Sequence, residues 1–110
     1  MAALLTFACN TDPVFSCISF AIFVGGFVPQ QKEYSSIFYE TEFNKIRTLH
    51  IIGKGDTVID AAKSLELSNR YKDPMVIFHS GGHYIPTHKE VILNLQDFMG
   101  DQRVILHLIL

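Results

Sequence analysis

The sequence predicts an α/β fold in which helices cover both faces of a short parallel β-sheet. Short apolar segments, rich in β-branched and aromatic residues, recur along the chain and end at glycine-containing turns, which is typical of buried strands. Segments with the apolar spacing of amphipathic helices alternate with them. Strands that alternate with helices form β-α-β units, and these units build parallel sheets. We therefore expect three layers, α/β/α.

Three strands are predicted. They are Ile18–Val24 (ISFAIFV), Thr48–Ile52 (TLHII) and Met75–His79 (MVIFH). The first is nearly continuously apolar, so we expect it to be buried on both faces, as in the interior of a parallel sheet. The last eight residues, Arg103–Leu110 (RVILHLIL), are β-prone; they are either a last edge strand or readthrough into non-coding sequence.

Helices are predicted between and before these strands. Met1–Cys9 (MAALLTFAC) has the composition of a buried helix, and residues 29–45 leave room for a short one. Asp60–Tyr71 and His88–Met99 are amphipathic, and Asp60 is a plausible N-cap. The inward-facing set of the first is Ala61, Leu65 and Ser68, or Ala62, Leu65 and Leu67; that of the second is Val91, Ile92 and Leu95 with Phe98 or Met99.

Length and composition predict one globular domain over residues 1–110. The chain is 48% hydrophobic and 18% charged, with a formal net charge of −2. Since no basic cluster is present, we expect no nucleic-acid partner. No Lys or Arg precedes Lys32, and Asp12-Pro13 divides the apolar start, so we expect neither a signal peptide nor a membrane span. Cys9 and Cys17 are expected to be buried free thiols, which favours the cytoplasm, with the nucleus as a further location.

Two loops carry residues suited to acid–base chemistry. Gly53-Lys54-Gly55-Asp56 and Gly81-Gly82-His83 each follow a predicted strand. In a parallel sheet such loops leave from one edge, which is where ligands bind. A carboxylate that accepts the imidazole Nδ1–H prepares a histidine to act as a general base. Alternatively, Asp56 is a turn or cap carboxylate and His83 a surface histidine with satisfied hydrogen bonds.

Two stretches resemble the family of serine hydrolases (FSH), a group of α/β-hydrolases. Residues 47–86 contain a strand, a G-x-x-D-T-V loop, a helix with a Ser-Leu-x-Leu core, a D-P turn, a strand and a G-G-H-x-[IV]-P loop, in the order of that family. Phe20–Pro29 (FAIFVGGFVP) is similar to the family's strand that ends in Gly-Phe-x-Pro. The resemblance implies a partial α/β-hydrolase fold and a Ser-Asp-His triad acting on small-molecule acyl esters. It assigns the acid to Asp56, with Asp60 as the fallback, and the base to His83.

The nucleophile of such a triad is not found. It belongs in a G-x-S-x-G turn upstream of the acid and the base, and no serine here has glycine at both flanking second positions. The chain therefore looks like an N-terminally truncated serine-hydrolase domain, expected to be inactive as given. Two alternatives stay open: a non-catalytic interaction or ligand-binding module, and recruitment of Ser16, Ser19 or Ser80 as a new nucleophile.

Metal and cofactor sites are not expected. His79, His83 and His88 lie on a strand–loop–helix path that scatters them, and no cysteine completes a zinc site. The glycine pairs lack the spacing of a phosphate-binding loop. Ile18–Val24 is expected to leave one edge of the sheet unpaired, because the resemblance places a further strand beside it. Such an apolar edge would favour self-association.

Overall fold

The computed structural model describes residues 20–40, 46–100 and 106–109 of the chain. Its strands are β1 (Phe20–Val24), β2 (Arg47–Gly53), β3 (Met75–His79) and β4 (Leu106–Ile109), and its helices are α1 (Lys32–Glu40), α2 (Ala61–Ser68) and α3 (Lys89–Met99). The strands form one sheet in the order β3-β2-β1-β4, and every neighbouring pair is parallel. The predicted α/β class with a short parallel sheet is confirmed.

Strand β1 lies inside the sheet, and all five of its residues are buried. It pairs with β2 in a register that places Ile22 beside Leu49 and Val24 beside Ile51. Successive side chains of a strand point to opposite faces, so an uninterrupted apolar sequence supplies core residues to both faces at once. The prediction that this strand is buried on both faces is confirmed for its described part.

Helix α3 covers one face of the sheet. The core on this side consists of Phe20, Ile22, Val24, Leu49, Ile51 and Phe98, with Ile77, Ile85 and Leu95 packed against it. The ring of Phe98 meets that of Phe20 edge to face, with 5.5 Å between centroids, a favourable arrangement for two aromatic quadrupoles. The guanidinium of Arg47 lies 4.7 Å from the centroid of the Phe98 ring.

Helix α2 and the turn that follows it cover the opposite face. Here Phe23 of β1 stacks on His50 of β2 with 5.1 Å between ring centroids, and Tyr71 contacts both rings. Leu67 is fully buried on this side, close to Gly26. The sheet is therefore covered on both faces by described helices, which confirms the three-layer arrangement.

The inward face of α2 differs from the prediction. The buried residues of this helix are Ser64, Leu67 and Ser68, whereas Leu65 is 40% exposed. Both predicted sets included Leu65, and that assignment is wrong. The two serines occupy helix positions that face β2, where a small side chain allows close approach, and the Ser68 hydroxyl donates to the Leu65 carbonyl. Asp60 is the N-cap, as predicted, and its carboxylate accepts the Ala62 N–H at 3.0 Å.

Helix α3 follows its predicted stripe only in part. Val91 and Phe98 are buried and Leu95 is half-buried, but Ile92 is 42% exposed. The assignment of Ile92 to the core is wrong: the buried stripe runs from Val91 through Leu95 to Phe98, at spacings of four and three, and Ile92 lies beside that stripe. The helix begins at Lys89 with His88 as N-cap, whose side chain makes no capping hydrogen bond.

The expected open edge of β1 is occupied. Strand β4 pairs with β1 in parallel from Ala21 beside Leu106 to Val24 beside Ile109. The prediction of an unpaired β1 edge is therefore wrong, and with it the stated reason for self-association. The C-terminal residues contain an edge strand, the first of the two alternatives given for Arg103–Leu110.

Some sequence-based expectations lie outside the described residues. These are the helix Met1–Cys9, the turn that follows it and the buried state of Cys9 and Cys17. Within the described ranges, no helix is long and apolar enough to cross a lipid bilayer.

His50 is a titratable residue of β2, and its side chain lies in the core on the face of the sheet that α2 covers. Its residue surface is 1% exposed, and its Nε2 has no hydrogen-bond partner among the described residues. Burial lowers the pKa of His50 to about 3, because a charged imidazolium stacked on Phe23 would lose its hydration. The ring is therefore neutral in the folded chain at pH 7.

We expect the free energy of unfolding to decrease as the pH falls below the ordinary histidine pKa of about 6.5. In the unfolded chain His50 binds a proton as the pH falls through about 6.5, whereas in the folded chain it stays neutral down to about pH 3. Acid therefore favours unfolding. The slope approaches about 1.4 kcal/mol per pH unit for one such group. Urea titrations at several pH values between 7 and 4.5 measure it.

Replacing His50 with Leu should flatten this dependence, while replacing the exposed, non-titratable Leu93 with Ala should leave it as in the wild type. The lowered pKa of His79 adds a contribution of the same sign in both variants. An unchanged slope in His50→Leu would show that His50 is not the group responsible.

Candidate acid–histidine site

The C-terminal ends of β1, β2 and β3 meet at one edge of the sheet, and their loops are joined by backbone hydrogen bonds. The Gly25 N–H donates to the Ile51 carbonyl at 3.0 Å. The Lys54 N–H donates to the His79 carbonyl at 2.8 Å, and the Gly55 N–H donates to the Gly81 carbonyl at 3.0 Å. The loops after β2 and β3 therefore continue side by side beyond the strands, which holds their side chains in a defined relation.

Asp56 lies at the centre of this edge. Its Oδ1 accepts the N–H groups of Val58 at 2.8 Å and Ile59 at 2.9 Å. Its Oδ2 lies 2.8 Å from the Nδ1 of His83. The side chain of Asp56 is 2% exposed and that of His83 is 11% exposed. Asp56 thus accepts backbone hydrogen bonds within its own turn and also contacts His83. The structure therefore brings the two predicted residues together.

The hydrogen bonds to Asp56 favour its charged form. Burial raises the pKa of this carboxyl, but the Ile59 N–H, the His83 side chain, the Val58 N–H and the charge of His83 together lower it below the ordinary aspartate value. A carboxylate that accepts several hydrogen bonds stays ionised in spite of partial burial. At neutral pH Asp56 is therefore an anion, and the Nδ1 of His83 is the donor of the pair.

This arrangement selects one tautomer of the His83 ring. When Nδ1–H donates to Asp56, the lone pair of the neutral imidazole lies on Nε2. A proton taken up at Nε2 produces an imidazolium that the adjacent carboxylate stabilises. The pair can therefore accept a proton from a hydroxyl group and return it later, which is general acid–base chemistry.

Two glycines allow the loops to approach this closely. Gly25, directly after β1, has a φ of +61°, and a Cβ atom there would lie 2.3 Å from the Nδ1 of His83. A Cβ atom at Gly53 would lie 2.4 Å from the Gly82 carbonyl oxygen. Such distances are far below van der Waals contact. The absence of side chains at these positions lets the three loops pack against the acid–histidine pair.

The structure separates the two candidate acids. Asp60 caps α2 through the Ala62 N–H, whereas Asp56 contacts His83. One neighbouring residue was not predicted as part of the site. His79 lies at the end of β3, and its Nδ1 accepts the Gly81 N–H. The sequence feature that could have indicated its role is its position directly before the loop Ser80-Gly81-Gly82. Over the described ranges, no cluster of His, Cys, Asp and Glu could hold a metal ion.

Sequence comparison relates this chain to a known family. A sequence model of the family described as Serine hydrolase (FSH1) matches residues 1–95. The chain belongs to this serine hydrolase family. The match contains both loops of the acid–histidine pair, and the family likeness noted for residues 47–86 is confirmed.

Several relatives share this region. Esterase OVCA2 of Xenopus tropicalis is 37% identical over an alignment of 89 positions, which covers 77% of this chain and 37% of that protein. Esterase CG5412 of Drosophila melanogaster is 39% identical over 67 residues, which make up 61% of this chain and 23% of that protein. A protein of Schizosaccharomyces pombe named dihydrofolate reductase is 34% identical over 80 residues, 73% of this chain and 17% of that protein.

The chain spans less than two-fifths of the length of each of these curated relatives. A match limited to 17% of a protein does not transfer the reductase activity in its name. The matching family is one of serine hydrolases, and two of these relatives are named esterases. This serine hydrolase segment carries the two loops that form the acid–histidine pair.

We expect Asp56→Asn to abolish the downfield proton resonance of the hydrogen-bonded His83 Nδ1–H, because an amide presents no full negative charge to that donor. Proton NMR of the 110-residue chain measures it. The fold should persist, since the amide oxygen can still accept the Val58 and Ile59 N–H groups.

The matched control is Asp60→Ala. Loss of this N-cap should lower the free energy of unfolding by about 1 kcal/mol and leave the His83 resonance in place. If instead Asp60→Ala removed the resonance and Asp56→Asn kept it, the pairing of acid and histidine described above would be wrong.

Proposed function

We propose that Asp56 and His83 are the acid and the base of a serine-hydrolase triad, and that the protein to which they belong hydrolyses small-molecule acyl esters. The observation that carries this proposal is the 2.8 Å contact between Asp56 Oδ2 and His83 Nδ1, formed by two loops at the ligand-binding edge of a parallel sheet. The esterase names of several relatives agree with it.

The proposed chemistry assigns one task to each residue. A serine hydroxyl attacks the ester carbonyl while His83 Nε2 takes the hydroxyl proton. His83 then gives that proton to the departing alcohol, which leaves an acyl-serine. A water molecule repeats the two proton transfers and releases the acid. Asp56 keeps the imidazole in the required tautomer and stabilises the imidazolium in both halves of the reaction.

The 110-residue chain lacks a recognisable nucleophile. No serine in it has glycine at both flanking second positions, which is the pattern of the strand–turn–helix that presents the nucleophile in α/β-hydrolases. We therefore propose that this chain by itself does not turn over esters. The same observation favours the second candidate function, a non-catalytic module that binds a partner or an acyl ligand through the same edge.

A chimera distinguishes the two functions. The region of the Xenopus esterase that aligns with this chain is replaced with the corresponding residues of this chain. We expect the chimera to hydrolyse p-nitrophenyl esters, and His83→Ala to lower kcat/KM by about 10³-fold or more, because the remaining groups then provide only binding and oxyanion stabilisation. Initial rates measure both.

Matched variants and a labelling control accompany this assay. Asp56→Asn should lower kcat/KM strongly, whereas Asp60→Asn and His88→Gln should retain most of it. Reaction with a fluorophosphonate probe reports whether the chimera's nucleophile is assembled. A folded chimera that hydrolyses no ester, or whose rate does not depend on His83, would support the non-catalytic function instead.

A further inference from the structure

His79 connects the two loops of the site. It is the last residue of β3 and lies beside Gly53 in the register with β2. Its carbonyl accepts the Lys54 N–H at 2.8 Å, which joins β3 to the loop that carries Asp56. Its side-chain Nδ1 accepts the Gly81 N–H at 3.1 Å, which joins it to the loop that carries His83. One residue therefore contacts the backbone of both loops.

The hydrogen bond from Gly81 determines the protonation state of the His79 ring. An Nδ1 that accepts a hydrogen bond must carry a lone pair, so the neutral ring has its proton on Nε2. That Nε2 is buried and has no hydrogen-bond partner among the described residues. Burial lowers the pKa of His79, the charge of Asp56 partly offsets this and His88 adds to it, and the net pKa lies below the ordinary value. His79 is therefore neutral at pH 7, and its Nδ1 keeps the lone pair that accepts the Gly81 N–H.

The same ring supports the loop from a second side. His79 packs against Tyr84, with 5.3 Å between ring centroids. The Tyr84 N–H donates to the Gly82 carbonyl at 3.0 Å, and the Tyr84 hydroxyl lies directly over Gly81. Gly81 is thus held on one side by the Nδ1 of His79 and covered on another by the Tyr84 ring. Because two of the three residues of Ser80–Gly82 are glycines, this segment has little conformational restriction of its own.

We propose that His79 is a positioning residue, which holds the Ser80–Gly82 segment in the conformation that places the His83 imidazole against Asp56. Its acceptor nitrogen holds the Gly81 N–H, and its ring supports Tyr84. The consequence for catalysis rests on the proposed function, whereas the effect on the contact between His83 and Asp56 can be measured in the 110-residue chain alone.

Three variants of His79 test the acceptor separately from the ring. His79→Phe keeps an aromatic ring against Tyr84 but offers no acceptor to the Gly81 N–H. His79→Asn places an amide oxygen near the position of Nδ1, and it cannot titrate. His79→Gln carries its oxygen one carbon further from the backbone, beyond that position. Val76→Ala, in the same strand, is the control for a general loss of stability.

Two NMR signals report the position of His83 in each variant: the downfield Nδ1–H resonance and the pKa of the Asp56 carboxyl, which the His83 contact helps to lower. In His79→Phe and His79→Gln we expect the resonance to be lost and the pKa of Asp56 to rise. In His79→Asn and Val76→Ala we expect both signals to stay as in the wild type. If His79→Phe does not fold, the proposal is tested by comparing the two signals in His79→Asn with those in His79→Gln.

Two results would overturn the proposal: an intact His83 resonance in both His79→Phe and His79→Gln, or its loss in Val76→Ala to the same extent. In the esterase chimera, His79→Phe should lower kcat by about tenfold or more with little change in KM, since small misplacements of reacting groups are costly. If the NMR effects occur but the chimera's rate does not depend on His83, the positioning role stands and the proposed function fails.

Discussion

The parallel pairing of β1, β2 and β3 is the constraint on which the site depends. Because the three strands run in one direction, the loops that follow them leave from the same edge of the sheet. Asp56 and His83 are 27 residues apart in the chain, so no local interaction brings them together. A slip of β3 by two residues would keep its buried face but move His83 by about 7 Å, well beyond hydrogen-bond distance. The register of β2 with β3 therefore decides whether the pair exists.

His50, His79 and His83 differ in the protonation state or tautomer that their surroundings impose. His50 is stacked on Phe23 beneath the sheet, and burial keeps it neutral. His79 is an acceptor for a backbone N–H, and His83 contacts a carboxylate through the equivalent nitrogen. The chemistry of each ring follows from its partner rather than from its residue type. Of these three described rings, His83 alone has an anion against Nδ1, which is the arrangement that prepares the opposite nitrogen for proton transfer.

The interior position of β1 depends on a segment outside the family match. That match ends at residue 95, whereas β4 occupies Leu106–Ile109 and pairs with β1 along its second edge. An apolar strand with one unpaired edge would leave backbone groups without partners. In this chain a four-residue strand provides those partners, and β1 is buried throughout. The site itself involves only β1, β2 and β3, so its geometry is separate from the contribution of β4.

The sequence by itself determined the fold class, the positions of β2 and β3 and the N-cap at Asp60, because each depends on local composition or spacing. It also indicated Asp56 and His83 as a candidate acid–histidine pair, through loop motifs that resemble those of the serine hydrolase family. Only the tertiary structure decided which helix positions are buried and which distant segments meet. It showed that Ser64 is buried whereas Leu65 is 40% exposed, because the packing of α2 against β2 selects the buried positions. It also paired β4 with β1 and brought the His83 imidazole to the Asp56 carboxylate. Those contacts depend on how separate elements pack in three dimensions.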